Sequence, residues 1–123
     1  MDLLQFTDRG IWCPRADVFI DPWKPVDRAL ITHGHADHAR PGHRHYLCTP
    51  EAAPVIRLRL GDIALKTLPF GDVLSINGVD FSFHPAGHIP GSAQIRVAHR
   101  GEVWVVSGDY KVTPDRLSET FEP

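Results

Sequence analysis

Residues 33–38 read His33-Gly34-His35-Ala36-Asp37-His38, three imidazoles and a carboxylate directly after the apolar run Ala29-Leu30-Ile31. Imidazole nitrogens suit Zn²⁺ and similar ions, and a carboxylate adds a harder oxygen ligand. The apolar run reads as a strand buried on both faces, so the residues after it emerge at the strand's carboxyl edge, where sheets of this kind place their chemistry. Gly34 permits a sharp turn there, which lets His33 and His35 point at one ion. Asp37 and His38 fall on a short helical turn that Pro41 keeps from extending, and they face a second position nearby. The cluster is shaped for two adjacent ions. A solvated, His-rich loop is the competing reading, and it leaves the ligand spacing unexplained.

This pattern resembles the metallo-β-lactamase superfamily, whose signature is His-x-His-x-Asp-His after a buried strand. Two further stretches are similar to that superfamily. Pro85-Ala86-Gly87-His88-Ile89-Pro90-Gly91-Ser92 resembles the loop that gives another His to the first metal, and Val105-Val106-Ser107-Gly108-Asp109-Tyr110 resembles the strand end whose Asp bridges both metals. The wording Gly-His, Pro-Gly-Ser-Ala and Ser-Gly-Asp-Tyr is that of the β-CASP nucleic-acid hydrolases. Within that branch, residues 6–11, 20–28 and 101–110 look most like bacterial ligase-associated DNA exonucleases, and the likeness runs over essentially the whole chain.

The resemblance implies an α+β fold, the strand-rich αββα sandwich, with residues 1–123 as its N-terminal portion. The rest of the domain and an inserted β-CASP domain are then expected outside this chain, which alone would be inactive. It also implies a ligand set. His33, His35, His88 and Asp109 would hold one divalent metal and Asp37, His38 and Asp109 the other, with Zn²⁺ foremost and Mn²⁺ as the alternative. Asp37 and His38 are the implied catalytic pair, Asp37 taking a proton from the attacking water. Asp21 resembles a first-motif Asp that supports the ligands without binding metal, a general use of carboxylates beside ligating histidines, although Asp before Pro is also an ordinary turn residue. The implied function is metal-dependent phosphodiester hydrolysis, as a DNA exonuclease working in repair with a DNA ligase and helicase. An RNA-processing β-CASP nuclease is one alternative. A lactamase-fold hydrolase of small thioesters or lactones is the other, and the phrasing of the later motifs argues against it.

Composition agrees with a globular, cytoplasmic protein that has no membrane partner. No apolar run is long enough to span a bilayer, and Met1-Asp2-Leu3-Leu4 lacks the basic start of a secretory signal. Cys13 and Cys48 have no CxxC spacing and read as buried small apolar residues. The net charge of −2 gives no global sign of nucleic-acid binding. A local basic cluster, Arg40, His43, Arg44 and His45, comes after the metal motif, with Lys111 and Arg116 near the other end. Arg40 and Arg44 are candidate phosphate contacts, set against an ordinary solvated loop face.

No internal repeat or low-complexity linker appears. Strand character falls on residues 3–6, 18–20, 28–32, 46–48, 63–68, 73–76, 80–84, 94–98 and 102–107. Asn77-Gly78 and His99-Arg100-Gly101 read as hairpin turns. One helix is expected between 49 and 60, beginning at Thr49-Pro50 or Ala53-Pro54, with a core face among Val55, Ile56, Leu58 and Leu60. Val103, Trp104, Val105 and Val106 suit a strand covered on both sides. His84 reads as a packed or surface residue, His99 as a solvated turn residue, and Trp12, Trp23 and Trp104 as core or boundary aromatics rather than base-stacking platforms.

Overall fold

Brief runs of β-branched and aromatic residues, punctuated by Gly, Pro, Asn and Asp, favour many short strands over long helices. A computed structural model of the chain describes residues 3–32, 39–85, 93–107 and 112–114. The first sheet runs in the spatial order β1 (Gln5–Thr7), β2 (Gly10–Cys13), β3 (Val18–Ile20), β4 (Arg28–Leu30), β5 (His45–Cys48) and β6 (Leu65–Thr67). Its first three strands are antiparallel and β3 to β6 are parallel. The second sheet is an antiparallel meander of β7 (Val73–Ile76), β8 (Val79–Pro85), β9 (Ala93–His99), β10 (Glu102–Ser107) and β11 (Val112–Pro114).

Alternation along the strands sorts the core into two clusters. Val18, Ile20 and Leu30 of the first sheet meet Phe81, Phe83, Ile95, Val97 and Val106 of the second. Phe19, Ala29, Ile31, Tyr46 and Cys48 face the other way, toward Ala53 and Ile56 of the helix α1 (Ala53–Leu60). The central parallel strands are thus buried on both faces, which is why β3 and β4 read as continuous apolar runs. The described layers are helix, sheet, sheet, a strand-dominated α+β arrangement. A helix layer over the outer face of the second sheet, the last layer of an αββα order, is not among the described residues.

Several local expectations change. No strand is expected from the sequence at Gly10-Ile11-Trp12-Cys13, which forms β2 with β1 and β3 paired on its two sides. The first strand lies at Gln5–Thr7, two residues later than expected, with Leu3 and Leu4 packed in the core instead. The fourth strand ends at Leu30 rather than at 32, and the sixth is three residues long. α1 begins at Ala53 with Pro54 in its first turn, and Thr49 accepts the Ala52 and Ala53 amides just before it. Its core face is Ala53 and Ile56, whereas Val55 and Leu58 are exposed. Within 102–106 of β10, Val105 and Val106 are buried, one on each face, while Val103 and Trp104 are half-covered.

Both hairpins form through paired left-handed residues, Asn77 with Gly78 and Arg100 with Gly101, the geometry that matches strand twist. The first also joins the two sheets. Arg15 Nε donates to the Asn77 carbonyl at 3.0 Å, and Asn77 Nδ2 donates back to the Arg15 carbonyl at 2.8 Å.

If α1 is held by one buried side chain, truncations on its two faces must differ. Ile56→Ala is expected to cost about 2–5 kcal/mol in urea unfolding. Leu58→Ala, at a position 86% exposed, is expected to stay within about 0.5 kcal/mol of the parent. Equal losses would show that the helix packs by another face.

Candidate functional site

Strands β3 and β4 run parallel, so their carboxyl ends reach the same edge, and there a polar junction replaces the apolar ladder. Asp21, the residue after β3, takes a left-handed φ of 45°, a conformation that Asp tolerates better than most residues. Its amide donates to the Leu30 carbonyl at 2.9 Å. Its carboxylate accepts the Thr32 amide at 2.8 Å and the Thr32 hydroxyl at 2.6 Å. Thr32 is wholly buried, and its carbonyl accepts the Ala93 amide of the second sheet at 2.8 Å. Ala93 pairs with Pro85, and its neighbour Gln94 pairs with Ser107.

Four chain positions that border the sequence motifs therefore meet at one edge: Thr32 before His33, Pro85 and Ala93 on either side of the His88 stretch, and Ser107 two residues before Asp109. The candidate ligands His33, His35, Asp37, His38, His88 and Asp109 themselves lie outside the described residues. Among the described residues no three His, Cys, Asp or Glu side chains gather into a metal-holding group.

Beyond His38 the chain returns at Ala39, which is buried and whose carbonyl accepts Arg59 Nη1 at 3.1 Å, tying this loop to α1. The basic cluster after it divides. Arg44 and His45 are exposed, Arg40 is half-covered, and His43 is buried at 7% exposure, against the expectation of a solvated basic face. His43 Nδ1 accepts the Val26 amide at 3.2 Å, which assigns the neutral ring with its proton on Nε2. Nε2 makes no well-formed hydrogen bond among the described residues. Burial lowers the His43 pKa below its ordinary 6.5, and the Pro22 backbone offsets part of that effect. Tyr46 packs against the ring, accepts the His43 amide at 3.3 Å and donates to the Arg40 carbonyl at 2.6 Å, so one hydroxyl closes the turn.

The remaining singled-out residues differ in burial and partners. His84 Nε2 bonds Ser82 Oγ at 2.8 Å, and half-buried His99 bonds the Gly78 carbonyl at 2.9 Å, so it is a turn clasp and not simply solvated. Trp12 stacks on Phe19, and Trp104 donates to Glu102. Trp23 is 47% exposed with its indole N–H on the Asp8 carbonyl. Cys13 and Cys48 are buried free thiols in different core clusters, in keeping with their spacing. Desolvation pushes the Cys48 thiol up to about 12, which keeps it unreactive.

No protein-family model matches the chain. It is 32% identical over 114 residues to a probable DNA ligase of Opitutus terrae, a match covering 89% of this chain and 11% of that protein. It is 29% identical over 116 residues to a ribonuclease of Thermus thermophilus, covering 72% of this chain and 27% of that enzyme. The chain thus spans a minor part of the length of these relatives. In fold it is similar to a protein of unknown function from Enterococcus faecalis, with a TM-score of 0.61 and 14% identity over 68% of this chain and 25% of that one. Among the described residues no helix is long and apolar enough to cross a membrane.

The junction makes Asp21 a structural keystone. Asp21→Ala removes two charge-assisted bonds to a buried residue at a left-handed position, and is expected to cost about 2–3 kcal/mol in urea unfolding. Asp21→Asn keeps the backbone preference and one acceptor and should lose clearly less. A neutral Asp21→Ala would show that Thr32 is held by other means.

His43 gives a pH signature. Above about pH 6.5 the ring is neutral in both states and the full stability is present. As the pH falls below that value the unfolded chain takes up a proton that the folded ring resists, so stability declines until the lowered folded value is reached. The drop in unfolding free energy between neutral and mildly acidic pH is expected to be smaller in His43→Gln. An identical pH dependence in the two proteins would contradict this assignment.

Proposed function

We propose that this protein is a metal-dependent phosphodiester hydrolase of the metallo-β-lactamase superfamily, in its β-CASP branch, and that DNA is its substrate. The observation that carries this reading is the junction at Thr32. The stretches bearing four imidazoles and two carboxylates all adjoin it through Thr32, Pro85, Ala93 and Ser107. That donor set matches the chemistry of a Zn²⁺ pair, with Mn²⁺ as the alternative. His33, His35, His88 and Asp109 would hold one ion, and Asp37, His38 and Asp109 the other. When bound, such a pair offsets the negative charge that grows on a phosphate as it is attacked.

The chain's own groups do the rest. Asp37 accepts the proton of the attacking water, with His38 beside it. Asp21 holds the start of the His33 segment by gripping Thr32, a positioning role. Arg40 and Arg44 meet phosphates of the substrate. The relatives named as a DNA ligase and a ribonuclease support a nucleic-acid substrate, and the DNA exonuclease role, in repair beside a ligase and helicase in the cytoplasm, is the finer reading. The ribonuclease relative makes RNA the substrate to test beside DNA.

Metal analysis and cleavage assays on the full-length gene product test this. The parent is expected to bind Zn²⁺ or Mn²⁺ and to degrade labelled single-stranded DNA in a metal-dependent way. His35→Ala combined with His88→Ala should lose metal. Asp37→Ala should lose cleavage with an unchanged circular dichroism spectrum, since it serves a site surface and not the core. Equal metal content in parent and double variant, or parent-like turnover in Asp37→Ala, would overturn the proposal. RNA and a thioester are run as parallel substrates, and turnover of the thioester alone would also overturn it.

A further inference from the structure

An open cleft of about 630 Å³ is lined by Arg9, Pro25, Val26, Asp27, Gly42 and Arg44. One wall is the 22–27 segment, which starts at Asp21, and the other is the 40–44 turn, which comes closely after the His33–His38 motif. The walls nearly touch at the base. Gly42 has φ +100°, a conformation strained for other residues, and a Cβ built there would sit 3.2 Å from Pro25 Cγ, close enough that the ring would have to give. His43 and Tyr46 hold that turn from beneath.

Arg9 and Arg44 make the lining cationic, and Trp23 and Lys24 directly precede its Pro25. Arg9 is exposed at the β1–β2 turn. Trp23 sits beside it, with its amide on the Arg9 carbonyl at 2.8 Å and its indole N–H on the Asp8 carbonyl at 2.9 Å. Those two bonds hold an indole that is 47% exposed, so it is clamped without being packed away. Lys24 lies 3.6 Å from Asp8 and Arg44 3.8 Å from Asp27, both long, exposed contacts that a phosphate can replace.

We infer that this cleft seats one unpaired strand of the substrate, its phosphates on Arg9, Arg44 and Lys24 and one base stacked on Trp23. The inference rests on the nucleic-acid reading above for the class of ligand. Cationic side chains along a groove with a rigid exposed aromatic are the two elements of single-strand recognition, because every base has a face to stack and every nucleotide a charge to neutralise. Asp27 and Asp8 oppose the anion, and their replacement should strengthen the contact.

The test is fluorescence anisotropy of the full chain with a short labelled oligo(dT) in EDTA, across a range of salt. Arg9→Ala with Arg44→Ala is expected to weaken binding about tenfold or more at low salt and to flatten the salt slope by about 1.4, two phosphates at ~0.7 each. Trp23→Ala should weaken it about tenfold, Trp23→Phe much less, and Asp27→Asn should tighten it. Unchanged affinity and slope in the double arginine variant would overturn the inference. So would equal binding of polyglutamate, which would mark the cleft as a seat for an acidic protein. Binding that depends on these residues in a protein that never cleaves with metal would leave the cleft standing and sink the nuclease reading. Cleavage with an unaltered KM in the double variant would do the reverse.

Discussion

Two oxygens of Asp21 and three polar groups of Thr32 hold together the edge on which everything else in this molecule depends. Thr32 is wholly buried, so its amide, hydroxyl and carbonyl must each find a partner or destabilise the fold. Asp21 takes the first two and Ala93 takes the third. The first link lies within one sheet and the second crosses to the other. A strand ladder is thereby converted into a cross-sheet tie at the point where the motif-bearing segments leave the sandwich. Such a fully satisfied polar contact in a dry setting specifies one geometry where apolar packing alone would tolerate several.

The apolar layers make that contact dry. Leu30 faces the second sheet while Ala29 and Ile31 face α1, so β4 reaches Thr32 with no exposed side. At the opposite end the Arg15 and Asn77 exchange of hydrogen bonds joins the sheets again. A sandwich pinned at both ends resists sliding of one sheet over the other, since a shift would break directional bonds as well as side-chain packing.

Polar chemistry is distributed by the same logic. Groups with no use for water are drawn inward and held neutral: the His43 ring receives a backbone amide, and the Cys48 thiol stays protonated. Arg9, Lys24 and Arg44 remain in solvent, Lys24 and Arg44 in long contacts with carboxylates. The overall charge of −2 gives no sign of these cations, which share their surface with Asp8 and Asp27.

Much of the local structure was legible before any coordinates. Asn77-Gly78 declares its turn because both residues tolerate positive φ, and Ala29-Leu30-Ile31 declares a twice-buried strand because no polar residue interrupts it. The free, buried state of the two cysteines was equally plain, since it depends on side-chain chemistry and spacing. Tertiary structure decided the rest. β2 exists through its two partners, α1 turns Ile56 inward and Leu58 outward according to where the sheet lies, and His43 leaves its basic neighbours because Val26 offers an amide from a distant segment. The meeting of Asp21, Thr32 and Ala93 was likewise invisible as geometry, although Asp21 stood out as a residue. Turn preferences and ligand chemistry are properties of neighbours in sequence, whereas burial, strand partnership and the choice of hydrogen-bond partner depend on contacts between residues far apart in the chain, which only the folded arrangement brings within reach.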